Sequence, residues 1–220
     1  MHIGLIGGIG PAATQFYYRG LVAASRSAGV PFRMTFTHAD NAPLVENFLA
    51  DRRVEQAQVF ADHIKNLAAA GAECAAVTAL AGHYCIDQLI EISPIPVINA
   101  VDVIRNAFVG LGLQRIGVLG SGRVMTSGLY GALDAVEQLR PQDADGVGSA
   151  YLTMAQRGDC DADERAYFFA EGAKLIDAGA EAVFLAGTDL FLAFEDHDPG
   201  YPVIDGGTLH IAELARLAAQ

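Results

Sequence analysis

The chemistry this chain offers first is that of small anions held at helix starts. Gly8-Ile9-Gly10-Pro11-Ala12-Ala13 follows the apolar run Ile3 to Ile6 and precedes a helical pattern. Pro11 suits the first helical turn, and Thr14 faces backbone N–H groups that have no partner inside the helix. Such a start favours a carboxylate or a phosphate. The same residues satisfy the loose G-x-G-x-x-G/A dinucleotide pattern, and they also serve plain strand-to-helix packing. A dinucleotide site wants an acidic residue at the end of the next strand, and the nearest candidate, Asp40, comes too late. Ser121, Gly122, Thr126 and Ser127 form a second glycine loop, at which anion contact by Thr126 or Ser127 and simple helix capping both stay open. The acidic stretch Asp159 to Glu164 has the residue types of a metal site, yet its acids stand at a helix start and suit the dipole there, so capping is expected and a metal is not.

These loops are repeated because the chain is. Ile3-Gly4-Leu5-Ile6-Gly7 returns as Ile116-Gly117-Val118-Leu119-Gly120, Ala70-Gly71-Ala72-Glu73 as Ala178-Gly179-Ala180-Glu181, and Pro96-Val97-Ile98-Asn99 as Pro202-Val203-Ile204-Asp205. A duplicated half is the reading. The register that superposes Ala70–Glu73 on Ala178–Glu181 carries Ala79 onto Gly187, each just past an apolar run, so the two are equivalent strand ends.

Short apolar runs alternating with longer helical patterns predict parallel sheets covered by helices. The first half supplies strands at Ile3–Ile6, Met34–Thr37, Cys74–Thr78 and Val97–Asn99. The second supplies Ile116–Leu119, a weak one near Gly148–Leu152, Ala182–Leu185 and Pro202–Ile204. Val54, Ala57, Ala61, Ile64 and Ala68 recur at spacings of three and four on one helix face. Pro141 to Ser149 reads as a surface loop.

Composition excludes several classes. The chain has 220 residues, 52% of them hydrophobic and 18% charged, enough to bury a full core. A net charge of −12 without a basic stripe argues against nucleic acid. The most apolar window, Leu67 to Gly82, contains Glu73 and is too short to span a membrane. Met1 leads almost directly into a strand with no cleavable leader pattern, which predicts a cytoplasmic protein. Cys74, Cys85 and Cys160 lack metal-ligand spacing and fit reduced thiols.

Gly7-Gly8-Ile9-Gly10-Pro11-Ala12-Ala13-Thr14 followed by Tyr17-Tyr18-Arg19 resembles the opening signature of the cofactor-independent aspartate/glutamate racemase superfamily. Asp40-Asn41-Ala42-Pro43, Gly82-His83-Tyr84, Ser127-Gly128-Leu129-Tyr130, Gly179 to Val183 and Ile204-Asp205 with His210 to Glu213 are similar to it in the same order. The resemblance implies an α/β fold of two similar lobes, each a parallel four-stranded sheet flanked by helices, pseudo-two-fold related with the site between them. The lobes are placed at residues 1–98 plus 207–220 and at 99–206. It also implies a small carboxylate or amino-acid-like ligand, no cofactor and a homodimer.

Family members place a cysteine on each side of the substrate α-carbon. By motif alignment the two cysteine positions are Ala79 and Gly187, and the neighbours that grip a carboxylate are replaced by Leu80 and Ala81. Neither Ala79 nor Gly187 can move a proton, so two-thiol racemisation is expected to be lost. What the resemblance leaves at the site is Thr14, Thr78, His83, Thr188 and Asp189, with His210 from the last helix. Asp189 stands as a lone base or as a helix cap, and His83 as a catalytic group or as a loop holder. Arg52, where the family supplies a carboxylate-binding arginine, stands as a substrate contact or as part of a solvated helix start with Arg53. Cys85 stands as a displaced thiol or as a core residue. Two functions follow: an isomerase, racemase or lyase working on one acid–base group, and a non-catalytic small-acid-binding protein.

Overall fold

The structure is a computed structural model that describes residues 1–8 and 10–219; Ile9 of the first glycine loop lies outside the described residues. The chain divides into two compact units, Met1–Ala100 with His210–Gln220, and Val101–Leu209.

Unit 1 begins with β1 (His2–Gly7), buried along its whole length, as a central parallel strand covered on both faces must be. It is followed by α1 (Pro11–Ala28), β2 (Arg33–His38), α2 (Asn41–Leu49), α3 (Arg53–Ala69), β3 (Cys74–Val77) and α4 (Ile86–Ile92). The strands pair in parallel in the order β2-β1-β3. The expected fourth strand at Val97–Asn99 shrinks to one bridge between Ala75 and Val97. Ala75 N–H donates to Pro96 O and Ile98 N–H to Ala75 O, after which the chain turns into α5 (Ala100–Leu111). The expectation of four strands in each lobe is corrected to three plus a bridge here.

Unit 2 repeats the plan with β4 (Arg115–Leu119), α6 (Gly122–Thr126), α7 (Gly128–Gly131), β5 (Glu137–Leu139), α8 (Ala144–Arg157), α9 (Ala162–Asp177), β6 (Ala182–Leu185), α10 (Phe191–Phe194) and β7 (Val203–Asp205). Its four strands are parallel in the order β5-β4-β6-β7. The element α11 (Gly206–Ala218) then carries the chain back into unit 1.

Two expectations fail in this unit. The strand sought near Gly148–Leu152 lies inside α8, and Pro141–Ser149 is mostly the first turn of that helix rather than a loop. Asp143 caps it by accepting from Gly146 N–H at 2.9 Å, and Val147, Tyr151 and Met154 bury one face at helical spacing. The strand that takes the vacant edge, β5, is only Glu-Gln-Leu and carries no apolar run. The acidic stretch acts as expected: Asp161 and Glu164 form a capping box at the start of α9.

The repeat extends to packing. A Cβ built on Gly4 of β1 would lie 2.9 Å from Leu67 of α3, and one on Gly117 of β4 would lie 2.7 Å from Leu175 of α9. In both units a helix leucine therefore sits directly on the backbone of the central strand. Gly117→Ala is expected to overpack this contact and to lower unfolding stability by about 1–3 kcal/mol in denaturant titration. An effect within about 0.5 kcal/mol would show that α9 yields easily.

Candidate active site at the strand ends

Ala79 and Gly187 occupy matching backbone positions. Ala79 has φ −115° and ψ 118° ahead of a 3-10 segment, Leu80–Cys85; Gly187 has φ −130° and ψ 122° ahead of another, Thr188–Leu190. Gly82 N–H donates to Ala79 O and Leu190 N–H to Gly187 O, both at 3.0 Å. Both positions are buried. The strand ends that the repeat equates are therefore the same turn built twice.

In unit 1 the residues around Ala79 form two clusters. Thr78 donates its hydroxyl proton to Ile6 O at 3.1 Å, so in its 3.3 Å contact with Thr14 the proton comes from Thr14. A Cβ on Gly7 would lie 2.1 Å from the Thr14 hydroxyl, so glycine there lets α1 bring Thr14 against the end of β1. The second cluster is aromatic and fully buried. The Tyr17 hydroxyl lies 2.8 Å from His210 Nδ1, and His210 Nε2 lies 3.0 Å from the Ile98 carbonyl. A carbonyl only accepts, so Nε2 carries the His210 proton and Tyr17 donates to Nδ1. His83 has the opposite tautomer: Nδ1–H donates to Ala79 O at 3.1 Å, and Nε2 accepts from Ala100 N–H at 3.2 Å. The two rings meet edge-on with centroids 5.9 Å apart. Burial and the neighbouring His83 push His210 down to about 3. His210 and His83 thus use both ring nitrogens to hold backbone or Tyr17.

The other sequence candidates of this unit lie at its surface or in its core. Arg52 is exposed and pairs with Glu46 at 2.7 Å, while Arg53 pairs with Asp51. Asp40 caps α2 by accepting from Ala42 N–H at 3.2 Å. Cys85 is fully buried, its thiol faces Gly82 O at 3.5 Å, and burial pushes it up to about 12. A thiol held so far above neutral pH is protonated and inert.

In unit 2, Thr188 and Asp189 are buried inside the turn that follows β6. The residues at the N-cap positions of that turn and of α10, Gly187 and Leu190, make no side-chain cap bond. Its partner is Tyr151 of α8, a residue the sequence did not single out. The Tyr151 hydroxyl accepts from the Asp189 N–H and donates to the Asp189 carboxylate. Burial first, then the Asp189 charge, raise the phenol well above its ordinary value, so it stays protonated. Beside this pair, α7 is wound left-handed, with φ 49° at Leu129 and 57° at Tyr130, and the Tyr130 phenol adds to the field at Tyr151. Non-glycine residues in that conformation cost roughly 1–3 kcal/mol each and cluster where a side chain must be aimed. Ser127 caps the turn by accepting from Tyr130 N–H at 3.1 Å; Thr126 is exposed and donates to Gly122 O at 2.9 Å. Among the described residues no group of three or more His, Cys, Asp or Glu is arranged to hold a metal.

A family model described as Asp/Glu/Hydantoin racemase matches residues 6–214. No curated protein matches the sequence. Among solved structures, the chain is similar to a Yersinia pestis protein classed with the Asp/Glu racemases (TM-score 0.81, 23% identity, covering 100% of this chain and 99% of that one). It is also similar to an aspartate racemase homologue from Pyrococcus horikoshii OT3 (0.79, 22%, 100% and 99%) and to an aspartate racemase from Picrophilus torridus (0.78, 18%, 99% and 94%).

The His210 clamp has a measurable signature. The unfolded imidazole takes its proton near 6.5 and the folded one only near 3, so the stability it supplies is full above pH 6.5 and drains as pH falls toward 3. His210→Phe removes the titration and leaves Tyr17 and Ile98 without this partner. It is expected to cost roughly 2–4 kcal/mol at pH 7.5, and its deficit relative to the unaltered protein should shrink by about 2–3 kcal/mol by pH 4.5. The comparison at each pH cancels Asp205, which burial raises to about 6 and which therefore acts in the opposite sense between pH 4 and 6. A deficit independent of pH would mean that His210 takes up its proton as readily inside the fold as in the unfolded chain.

Proposed function

The chain belongs to the Asp/Glu/hydantoin racemase family, and from that premise we propose that it binds a small carboxylate at its strand-end loops and works on it through one carboxylate base rather than two thiols. The observation that carries this reading is Asp189. It is buried at the unit 2 strand end and is engaged by Tyr151. The equivalent turn of unit 1 carries Ala79, Leu80 and Ala81, and His83 beside it is committed to backbone. With the Thr78 hydroxyl proton given to Ile6 O and the Thr14 proton to Thr78, a carboxylate there would be oriented by the backbone N–H groups at the start of α1.

One base serves one face of a carbon. The substrate C–H bond breaks, its proton goes to an Asp189 oxygen, and the electron pair stays on carbon as an enolate; the same carboxyl then returns the proton to the same face or to an adjacent carbon. Exchange without inversion, a proton shift or protonation after loss of a group fits this device, and racemisation does not. A cofactor-free homodimer in the cytoplasm belongs to the same reading. No helix among the described residues is long and apolar enough to cross a membrane. The second reading, a non-catalytic small-acid-binding protein, is favoured by the absence of a thiol at both Ala79 and Gly187.

In D₂O, D- and L-aspartate and glutamate are expected to keep their configuration, and alkylating the thiols should change nothing. Ala79→Cys with Gly187→Cys should not recover racemisation, because Leu80 and Ala81 still cannot grip a carboxylate. A thermal-shift series of small acids locates the ligand: one present at 100 times its Kd stabilises by about 2.7 kcal/mol. If that acid exchanges a C–H proton and Asp189→Asn abolishes exchange but not binding, the one-base enzyme stands. If it binds and never exchanges, the protein is a binder. Thiol-sensitive racemisation would sink both.

A further inference from the structure

Gly187 has an ordinary extended backbone, so its lack of a side chain is not a matter of conformation. A Cβ built on it would lie 2.5 Å from Tyr151 Cζ, 2.6 Å from Cε2 and 2.8 Å from the hydroxyl oxygen. Real Cβ atoms do not come so close to a ring. Tyr151 cannot swing out to make room, being 4% exposed and anchored between Val147 and Met154 on the buried face of α8. The helix itself is pressed in, since a Cβ on Gly148 would lie 2.6 Å from Gly122 N. Glycine at 187 leaves the space that Tyr151 fills, and glycine at 148 lets α8 lie against the backbone of Gly122.

We propose that Tyr151 has taken over both the room and the orienting duty of a side chain at position 187, so that it is the positioning residue of the Asp189 carboxylate. The ring fills the volume a thiol there would need. The hydroxyl ties the carboxylate to its own turn, accepting from the Asp189 N–H while donating to the side chain. A phenol that keeps its proton at working pH is a fixed donor, and a donor to the charged form of a carboxylate favours that form. Losing a cysteine at 187 and holding a tyrosine at 151 are then one structural exchange. This assignment deepens the one-base reading of Asp189, whose role it presumes.

Two measurements without ligand test it. Tyr151→Phe keeps the ring and removes the O–H. In ¹³C carboxyl NMR, with Asp189→Asn identifying the resonance, the Asp189 midpoint should rise by one pH unit or more, a tenfold gain in proton affinity; an unmoved midpoint leaves Tyr151 a mere filler and overturns the positioning role. Gly187→Ala, Tyr151→Ala and their combination form a double-mutant cycle. The added methyl should destabilise the chain that has the tyrosine and be harmless without it, giving a folding constant for the pair at least tenfold above the product of the single effects. Additivity would overturn the shared-space argument. Neither result depends on binding, so an empty thermal-shift screen would defeat the ligand reading while leaving both measurements to stand.

Discussion

All strands of each sheet run the same way, and the candidate site depends on that constraint. Parallel pairing needs a crossover between neighbouring strands, so helices cover the faces and the carboxyl ends gather along one edge. In unit 1 this brings the end of β1 beside the end of β3, where Ile6 O holds both the backbone and the hydroxyl of Thr78. In unit 2 Leu119 O holds Ala186 in the same way. Everything chemical described above hangs on those two carbonyls. They aim the turns at Ala79 and Gly187, and the leucines seated on Gly4 and Gly117 hold the sheets against the helices that follow.

On the proposed reading, the absence of thiols at Ala79 and Gly187 is more than two altered letters. On one side, the imidazole next to Ala79 is tied to backbone at both nitrogens. On the other, the space at residue 187 is occupied and the neighbouring carboxylate has acquired a phenol partner. Burial keeps Cys85 from substituting, because the charged thiolate would have to exist in a medium that does not solvate it. On that reading, the side chains beside both positions are committed to other partners, which favours different chemistry or none over a two-thiol reaction.

Much of the scaffold was legible because buried parallel strands are unmixed apolar runs. β1, β3, β4 and β6 declare themselves that way, and their duplicated flanks fix which ends correspond. β5 was not legible, since a short edge strand of Glu-Gln-Leu is defined only by its neighbour. Its absence from the reading shifted the search onto Gly148–Leu152, where Val147, Tyr151 and Met154 at intervals of four and three were the overlooked helical signal. The site was legible by position more than by role. Asp189 and Ala79 could be placed by alignment of motifs, but whether a carboxylate caps a helix or meets a phenol depends on a residue distant in sequence. Tyr151 had no motif, and nothing in a linear reading says why Gly187 must be small. His210 looked like a polar group bound for a ligand; the structure gives both its nitrogens to Tyr17 and Ile98.

That last pairing sets an order of events during synthesis. Unit 2 is one uninterrupted stretch of chain, whereas unit 1 takes its final piece from His210 onward. As the polypeptide leaves the ribosome, the first hundred residues emerge with Tyr17 and Ile98 still lacking the imidazole that will join them. Unit 2 has all its strands before that imidazole is made. The half translated first is therefore the half completed last, and α1 must wait, with the face that meets Ile211 uncovered, for the length of an entire second unit.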